Sequence, residues 1–188
     1  CVPFTLSAQK AYIPNGGDDV AILDVATNTT TGTITLPEGS GPVGVAFSLN
    51  GQRACIANYS GNTVSIVDVE NDVVLTTIPA GTAPQNAVFT PDGSTIYVIS
   101  SGDNTVLAVD ATTYAITATI PVGQFPIGAA ITPDGSTLYV ADGAFGETTV
   151  NVISTATNTV TGTIIVGDTP AGVAITPQGG NTGLVGGQ

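Results

Sequence analysis

The sequence predicts an all-β protein made of propeller-type blades, each of four antiparallel strands, in about four and a half repeats of roughly 42 residues. Three observations carry that prediction. A two-residue turn recurs as Asn50-Gly51, Asp92-Gly93 and Asp134-Gly135, and in decayed form as Gln178-Gly179. A proline recurs as Pro42, Pro84, Pro126 and Pro170, and both markers advance by 42, 42 and 44 residues. Between successive markers lie four short apolar, β-branched runs with no helical period, which is the signature of a stacked four-strand unit.

Each strand of the unit has its own reason. The first follows the proline, at residues 43–47, 85–89, 127–131 and 171–175, and is rich in Gly and Ala. Small residues suit a crowded central axis where blades converge. The second follows the turn and carries Tyr12, Cys55, Tyr97 or Tyr139. The third ends on Asp24, Asp68 and Asp110 in three copies, with Ser154 in the fourth. These acids are expected to end a strand and accept hydrogen bonds from the turn that follows. The fourth is Thr-rich, at residues 31–36, 73–78, 116–120 and 160–166. Many strands are apolar on both faces: Val20 and Ile22 point one way, Ala21 and Leu23 the other. A sheet with one wet face alternates more cleanly, so each unit is expected to lie between neighbours.

The repeat text itself is distinctive. The run PDGSTIYVISSGDNTVLAVDATTYAITATIPVGQFPIGAAIT resembles the YVTN-type β-propeller repeat, as does PDGSTLYVADGAFGETTVNVISTATNTVTGTIIVGDTPAGVAIT. The resemblance covers nearly the whole chain. It implies a propeller, commonly of about seven blades, of the kind found in surface-layer and other extracellular proteins of archaea and bacteria. It implies no shared catalytic motif.

The blade count departs from that pattern. As a single repeat domain over 1–188, the chain divides into blades at about 1–41, 42–83, 84–125 and 126–169, with a partial fifth blade at 170–188. Residues 2–6 align with 45–49, so the chain starts midway through a first strand, and 170–176 is expected to form a fifth first strand. Three arrangements follow: a closed four-bladed ring, a piece of a longer propeller, or an open arc completed by copies of itself. In the last, Pro170, Val173, Ile175, Leu184 and Val185 form an assembly segment that adds a strand to a neighbouring sheet edge.

Composition limits the chemistry. Charged residues are 9% of the chain, with two bases against fourteen acids and a net charge of −12. No basic patch is available for nucleic acid. The apolar runs are far shorter than the ~20 residues a membrane helix needs, so no membrane span is expected. Histidine is absent, which removes Ser-His and Cys-His nucleophiles and most zinc sites. Neither an enzyme site nor a cofactor is expected. The loops Gly16-Gly17-Asp18-Asp19, Gly102-Asp103-Asn104 and Gly143-Ala144-Phe145-Gly146-Glu147 offer only one or two carboxylates each, so ordinary turns are expected rather than calcium sites, with the longer third loop the candidate for a particular contact. Lys10 and Arg53 occupy equivalent positions and are expected either to pair with acids across an interface or to guard a strand edge. Cys1 and Cys55 leave three readings open: a disulfide, a lipid anchor at Cys1, or inert thiols. Asn28 and Asn58 begin glycosylation sequons. The expectation is an extracellular or cell-surface structural protein whose partners are copies of itself, forming a filament or array. The alternative is a propeller that recognises a protein or glycan on a loop face.

Overall fold

The computed structural model describes residues 9–176, all of them in strands, turns or loops. The first sheet has three strands, β1 (Lys10–Pro14), β2 (Asp19–Asp24) and β3 (Thr29–Thr35). The second has β4 (Pro42–Phe47), β5 (Arg53–Asn58), β6 (Thr63–Asp68) and β7 (Val73–Pro79). The third has β8 (Pro84–Phe89), β9 (Thr95–Ser100), β10 (Thr105–Asp110) and β11 (Ile116–Pro121). The fourth has β12 (Pro126–Ile131), β13 (Thr137–Asp142), β14 (Thr149–Ser154) and β15 (Thr159–Ile165). Every pairing is antiparallel between sequence neighbours.

These sheets are propeller blades. The first strands converge: β4 packs on β8 and β8 on β12, while the outer strands β3 and β7 touch at the rim. The small residues make this convergence possible. A methyl group at Gly44 would run into the backbone of Gln85 and Asn86 in the next blade. Three apolar cores fill the spaces between four blades. Tyr12, Val20 and Ile22 meet Ala54, Ile56 and Val67 between the first and second. Cys55, Val64 and Ile66 meet Ile96, Val98 and Val109 between the second and third. Tyr97, Ile99 and Ile120 meet Leu138, Val140 and Ile153 between the third and fourth. The expected two-faced burial therefore holds for the two middle blades.

The turns explain the recurring polar residues. Asp24, Asp68 and Asp110 each accept backbone N–H groups two and three residues on, as in Ala26 and Thr27 onto Asp24 at 2.8 and 2.9 Å. Those bonds hold Asp24 and Asp110 below the usual carboxylate range. In the hairpin turn, Asp92 accepts from Thr90 Oγ1 at 2.6 Å and from the Ser94 amide at 3.0 Å, with Gly93 at φ +73°. Asp134 repeats the arrangement with Thr132 and Ser136.

One recurring feature has no counterpart in the sequence reading. The residue before each blade proline is left-handed: Gly41, Ala83, Phe125 and Thr169 have φ of 52°, 51°, 50° and 54°. A residue before proline ordinarily stays extended, and positive φ is costly without glycine. Side chains from the preceding blade hold the conformation. Asn62 Oδ1 accepts the Ala83 amide at 2.9 Å, and Asn104 Oδ1 accepts that of Phe125 at 2.8 Å. Asp18 receives the Gly39 amide at 2.9 Å in the first such strap. Asx side chains of the loops thus fasten one blade to the next.

Of the three arrangements, the described blades do not form the closed four-bladed ring; they make an open arc with three cores. One expectation is corrected. Residues 170–176, expected as a fifth strand, form none, because no strand lies beside them to complete a ladder among the described residues. The expected start of the chain within a first strand, at residues 2–6, falls outside the described residues.

Candidate functional site

Two surfaces of the arc differ from everything between them, namely the outer face of the first blade and the outer face of the fourth. In the first blade, Ala11, Ile13, Ala21 and Leu23 share the face turned away from the second blade. Counting back from the strand-end residues Asp24 and Ser154, Ile13 stands where the fourth blade has Val140, and Leu23 where it has Ile153. Val140 and Ile153 are fully buried, whereas Ile13 is 45% exposed.

The fourth blade presents Ala130, Tyr139, Val152 and Ile164 on its outer face. Its third-blade counterparts are closed in: Ile120 is 1% exposed, and its equivalent Ile164 is 44% exposed. Both outer faces are thus built as blade-to-blade surfaces with no blade against them among the described residues. Exposed apolar faces of this kind mark interaction sites.

Residues 170–176, the described part of the segment expected to serve assembly, lie on the second of these faces. A methyl group at Gly128 would come within 2.6 Å of Gly172 Cα, just as Gly44 confronts β8. Residues 171–176 therefore run past the fourth blade where a fifth blade would place its first strand. Val173 and Ile175 are half-buried, and Gly172, Ala174 and Thr176 between and beyond them are exposed. Val173 and Ile175 correspond to Ala129 and Ile131, which pack toward the third blade. Pro170 follows left-handed Thr169, whose amide bonds Glu147 O at 2.7 Å, so the strap into a further blade is present. Leu184 and Val185 lie outside the described residues.

The polar side of each blade interface was not foreseen. Tyr12 of the first blade donates its hydroxyl to Asp72 in the second. Tyr97 of the third donates to Asn158 Oδ1 in the fourth at 2.7 Å. Asp72 and Asn158 occupy the same left-handed position, closing the turn between third and fourth strands, with φ of 56° and 53°. Between the second and third blades the pair is exchanged: Cys55 takes the tyrosine position and Tyr114, also left-handed at φ 59°, takes the Asx position. The signal was present in the spacing of Asn28, Asp72, Tyr114 and Asn158, at 44, 42 and 44 residues.

Cys55 is fully buried, and burial pushes its thiol up to about 12; Cys1 lies outside the described residues. Asn28 sits in an exposed turn. The sequon at Asn58 is corrected: the side chain is fully buried and its amide donates to Thr63 Oγ1 and Ser65 Oγ at 2.9 Å, so the folded blade has no room for a glycan there. Lys10 crosses an interface, bonding Asp72 Oδ2 at 2.6 Å, whereas Arg53 meets Asp68 of its own sheet at 3.3 Å. Among the described residues no three carboxylate, Cys or His side chains gather into a metal-binding group, and no helix is long and apolar enough to cross a membrane. At the axial end of the arc, Phe47, Leu49, Phe89, Pro91 and Ile131 line a shallow apolar groove.

No family model matches the chain, and no curated protein matches it. Among solved structures, it is similar to a chain of Kuenenia stuttgartiensis hydrazine synthase, with a TM-score of 0.78 and 26% identity. The similarity covers 84% of this chain and 46% of that one, so this chain spans less than half the length of its structural relative. The likeness supports the propeller architecture. A propeller of this kind is a binding or structural module.

Proposed function

We propose that the chain is a non-enzymatic structural protein of the extracellular space or cell surface that self-associates end to end through its two incomplete blades. One observation carries this: residues 170–176 lie against the fourth blade in the place of a fifth blade's first strand, while the first blade consists of three strands with the edge of β1 unpaired among the described residues. Among the described residues, the strand that one end offers is the strand that the other end does not show. Contact between two different faces is heterologous, so it closes into a ring if the rotation allows and otherwise grows as a filament or array. The scarcity of charge, the Thr-rich surface and the YVTN-type character of the repeat support an extracellular setting.

A second reading has its own observation. The axial groove beside Leu49, which is 80% exposed, would suit a protein or glycan partner on a loop face. In that case the outer blades are covered by further blades of a longer propeller, in keeping with the greater length of the similar chain.

Sedimentation of the 188-residue chain at low and high concentration separates the two. Concentration-dependent growth, abolished by deleting residues 170–188, is the expected result. A strictly monomeric species at every concentration overturns self-association.

A further inference from the structure

Two of the three internal interfaces share a polar pairing whose two halves also stand on the two outer faces. A tyrosine on the second strand of one blade donates to an Asx residue that closes the 3–4 turn of the next, as Tyr12 does to Asp72 and Tyr97 to Asn158. Tyr139 stands at the tyrosine position of the fourth blade, on its outer face. Asn28 stands at the Asx position of the first blade, left-handed at φ 54° like Asp72, Tyr114 and Asn158, and exposed. We propose that the end-to-end joint is a copy of the internal blade step, in which Tyr139 of one copy donates its hydroxyl to Asn28 of a second copy and residues 172–175 of the first add to the β1 edge of the second. This rests on the self-association proposed above and specifies its partner and register.

The register follows from the three internal ladders. In them the first strand meets the second as Gly128↔Ala141, Ala129↔Val140, Ala130↔Tyr139 and Ile131↔Leu138, with the same offsets in the second and third blades. Carried to the joint, Gly172 faces Pro14, Val173 faces Ile13, Ala174 faces Tyr12 and Ile175 faces Ala11 of the second copy. Pro14 has no amide hydrogen, so the added ladder ends there. The apolar match is equally specific. Ile13 and Leu23 of the second copy take the places that Val140 and Ile153 hold in the third interface, against Tyr139, Val152 and Ile164 in place of Tyr97, Ala108 and Ile120. The polar pairing also selects direction: first-to-first and fourth-to-fourth contacts would oppose two asparagines or two tyrosines.

The joint is tested in the full 188-residue chain, with Cys1→Ser to remove a competing thiol. First, Tyr139→Phe and Asn28→Ala are compared by sedimentation equilibrium. Each is expected to weaken association roughly two- to tenfold, the range of one hydrogen bond, and the double variant no more than the worse single one. Melting of dilute Tyr139→Phe should match the parent, because the residue lies on an outer face. Second, Ile13→Cys with Val173→Cys should form intermolecular disulfides, because directly opposed residues lie within disulfide reach. Ile13→Cys with Ala174→Cys, one residue out of register, should not. Association that persists with unchanged affinity in both single variants, or equal cross-linking in the two registers, overturns this joint while self-association stands. Absence of any association in the parent chain overturns both. Occupation of the β1 edge by residues 2–6 of the same chain, read from intramolecular cross-linking of Val2→Cys with Ile13→Cys, also overturns it.

Discussion

Cys55 and Tyr114 share the core between the second and third blades, Cys55 standing where the flanking interfaces have a tyrosine and Tyr114 where they have an Asx residue. At those interfaces a tyrosine on the second strand reaches an Asx residue in the next blade; here the bulk comes from the far side and the thiol leaves it room. The interface therefore carries a tyrosine without the tyrosine-to-Asx hydrogen bond of its neighbours. Cys55→Tyr alone should overpack the site and cost about 1–3 kcal/mol. Adding Tyr114→Asn should recover most of that loss by recreating the pairing of Tyr97 with Asn158. Urea unfolding of the two singles and the double gives the coupling; additive losses would contradict the exchange.

Alkaline pH should loosen the first interface. Burial and the neighbouring carboxylate of Asp72 push the Tyr12 hydroxyl well above its ordinary range, and burial also raises Tyr97. The folded state thus holds these protons more tightly than the unfolded chain, whose tyrosines titrate near ~10. Stability from this source is complete below about pH 10 and falls as pH rises beyond it. Unfolding midpoints measured on either side of that value should drop in the parent, and less steeply in Tyr12→Phe.

Acidic pH acts through two opposing sets. Asp18, Asp24, Asp92, Asp110 and Asp134 sit below their ordinary range through hydrogen bonds to backbone and hydroxyl donors, so their stabilisation is present above about pH 4 and is lost on acidification below it. Asp142 behaves oppositely. It is fully buried, and burial raises it even though Asn151 donates to both oxygens at 2.8 and 2.7 Å and Thr149 at 2.7 Å. Its contribution is present below about pH 4 and is lost as pH rises through the raised folded value. The second blade solves the same position with Asn58 and Ser65. Asp142→Asn with Asn151→Ser should therefore raise stability at pH 7 and leave it nearly unchanged near pH 4. A double variant less stable at pH 7 would contradict this.

Gly44 carries the convergence of the blades. Its missing methyl group would overlap the backbone of Gln85, which no rotamer change relieves. Gly44→Ala should cost about 1–3 kcal/mol, against a small effect for Gly162→Ala, where the space is open. Thermal melts of the two variants compare them directly.

What was legible in the sequence is what repeats locally. The strand runs, the Gly-Ala first strands and the turn acids each depend on residues within one repeat, and those of residues 10–165 appear as read. What was not legible depends on a neighbour. Tyr12 and Asp72 lie 60 positions apart and Tyr97 and Asn158 lie 61, so the pairing emerges only when blades are stacked. Residues 170–176 have the sequence of a first strand but, among the described residues, no second strand beside them, and a strand is a property of a pair. Asn58 reads as a sequon from three residues and is closed by burial that three residues cannot encode. The left-handed residues before Pro84, Pro126 and Pro170 run against local preference and are held by groups in the preceding blade.

Packing that passes only from blade to adjacent blade also sets where the molecule opens. The middle blades rest on two cores and the outer blades on one. Stability in such a stack is close to a sum of unit and nearest-neighbour terms, so it frays inward from its extremities. Amide hydrogens of β5 and β9 should exchange last and those of β1 and β15 first, and a cap on either extremity would slow exchange across the whole arc.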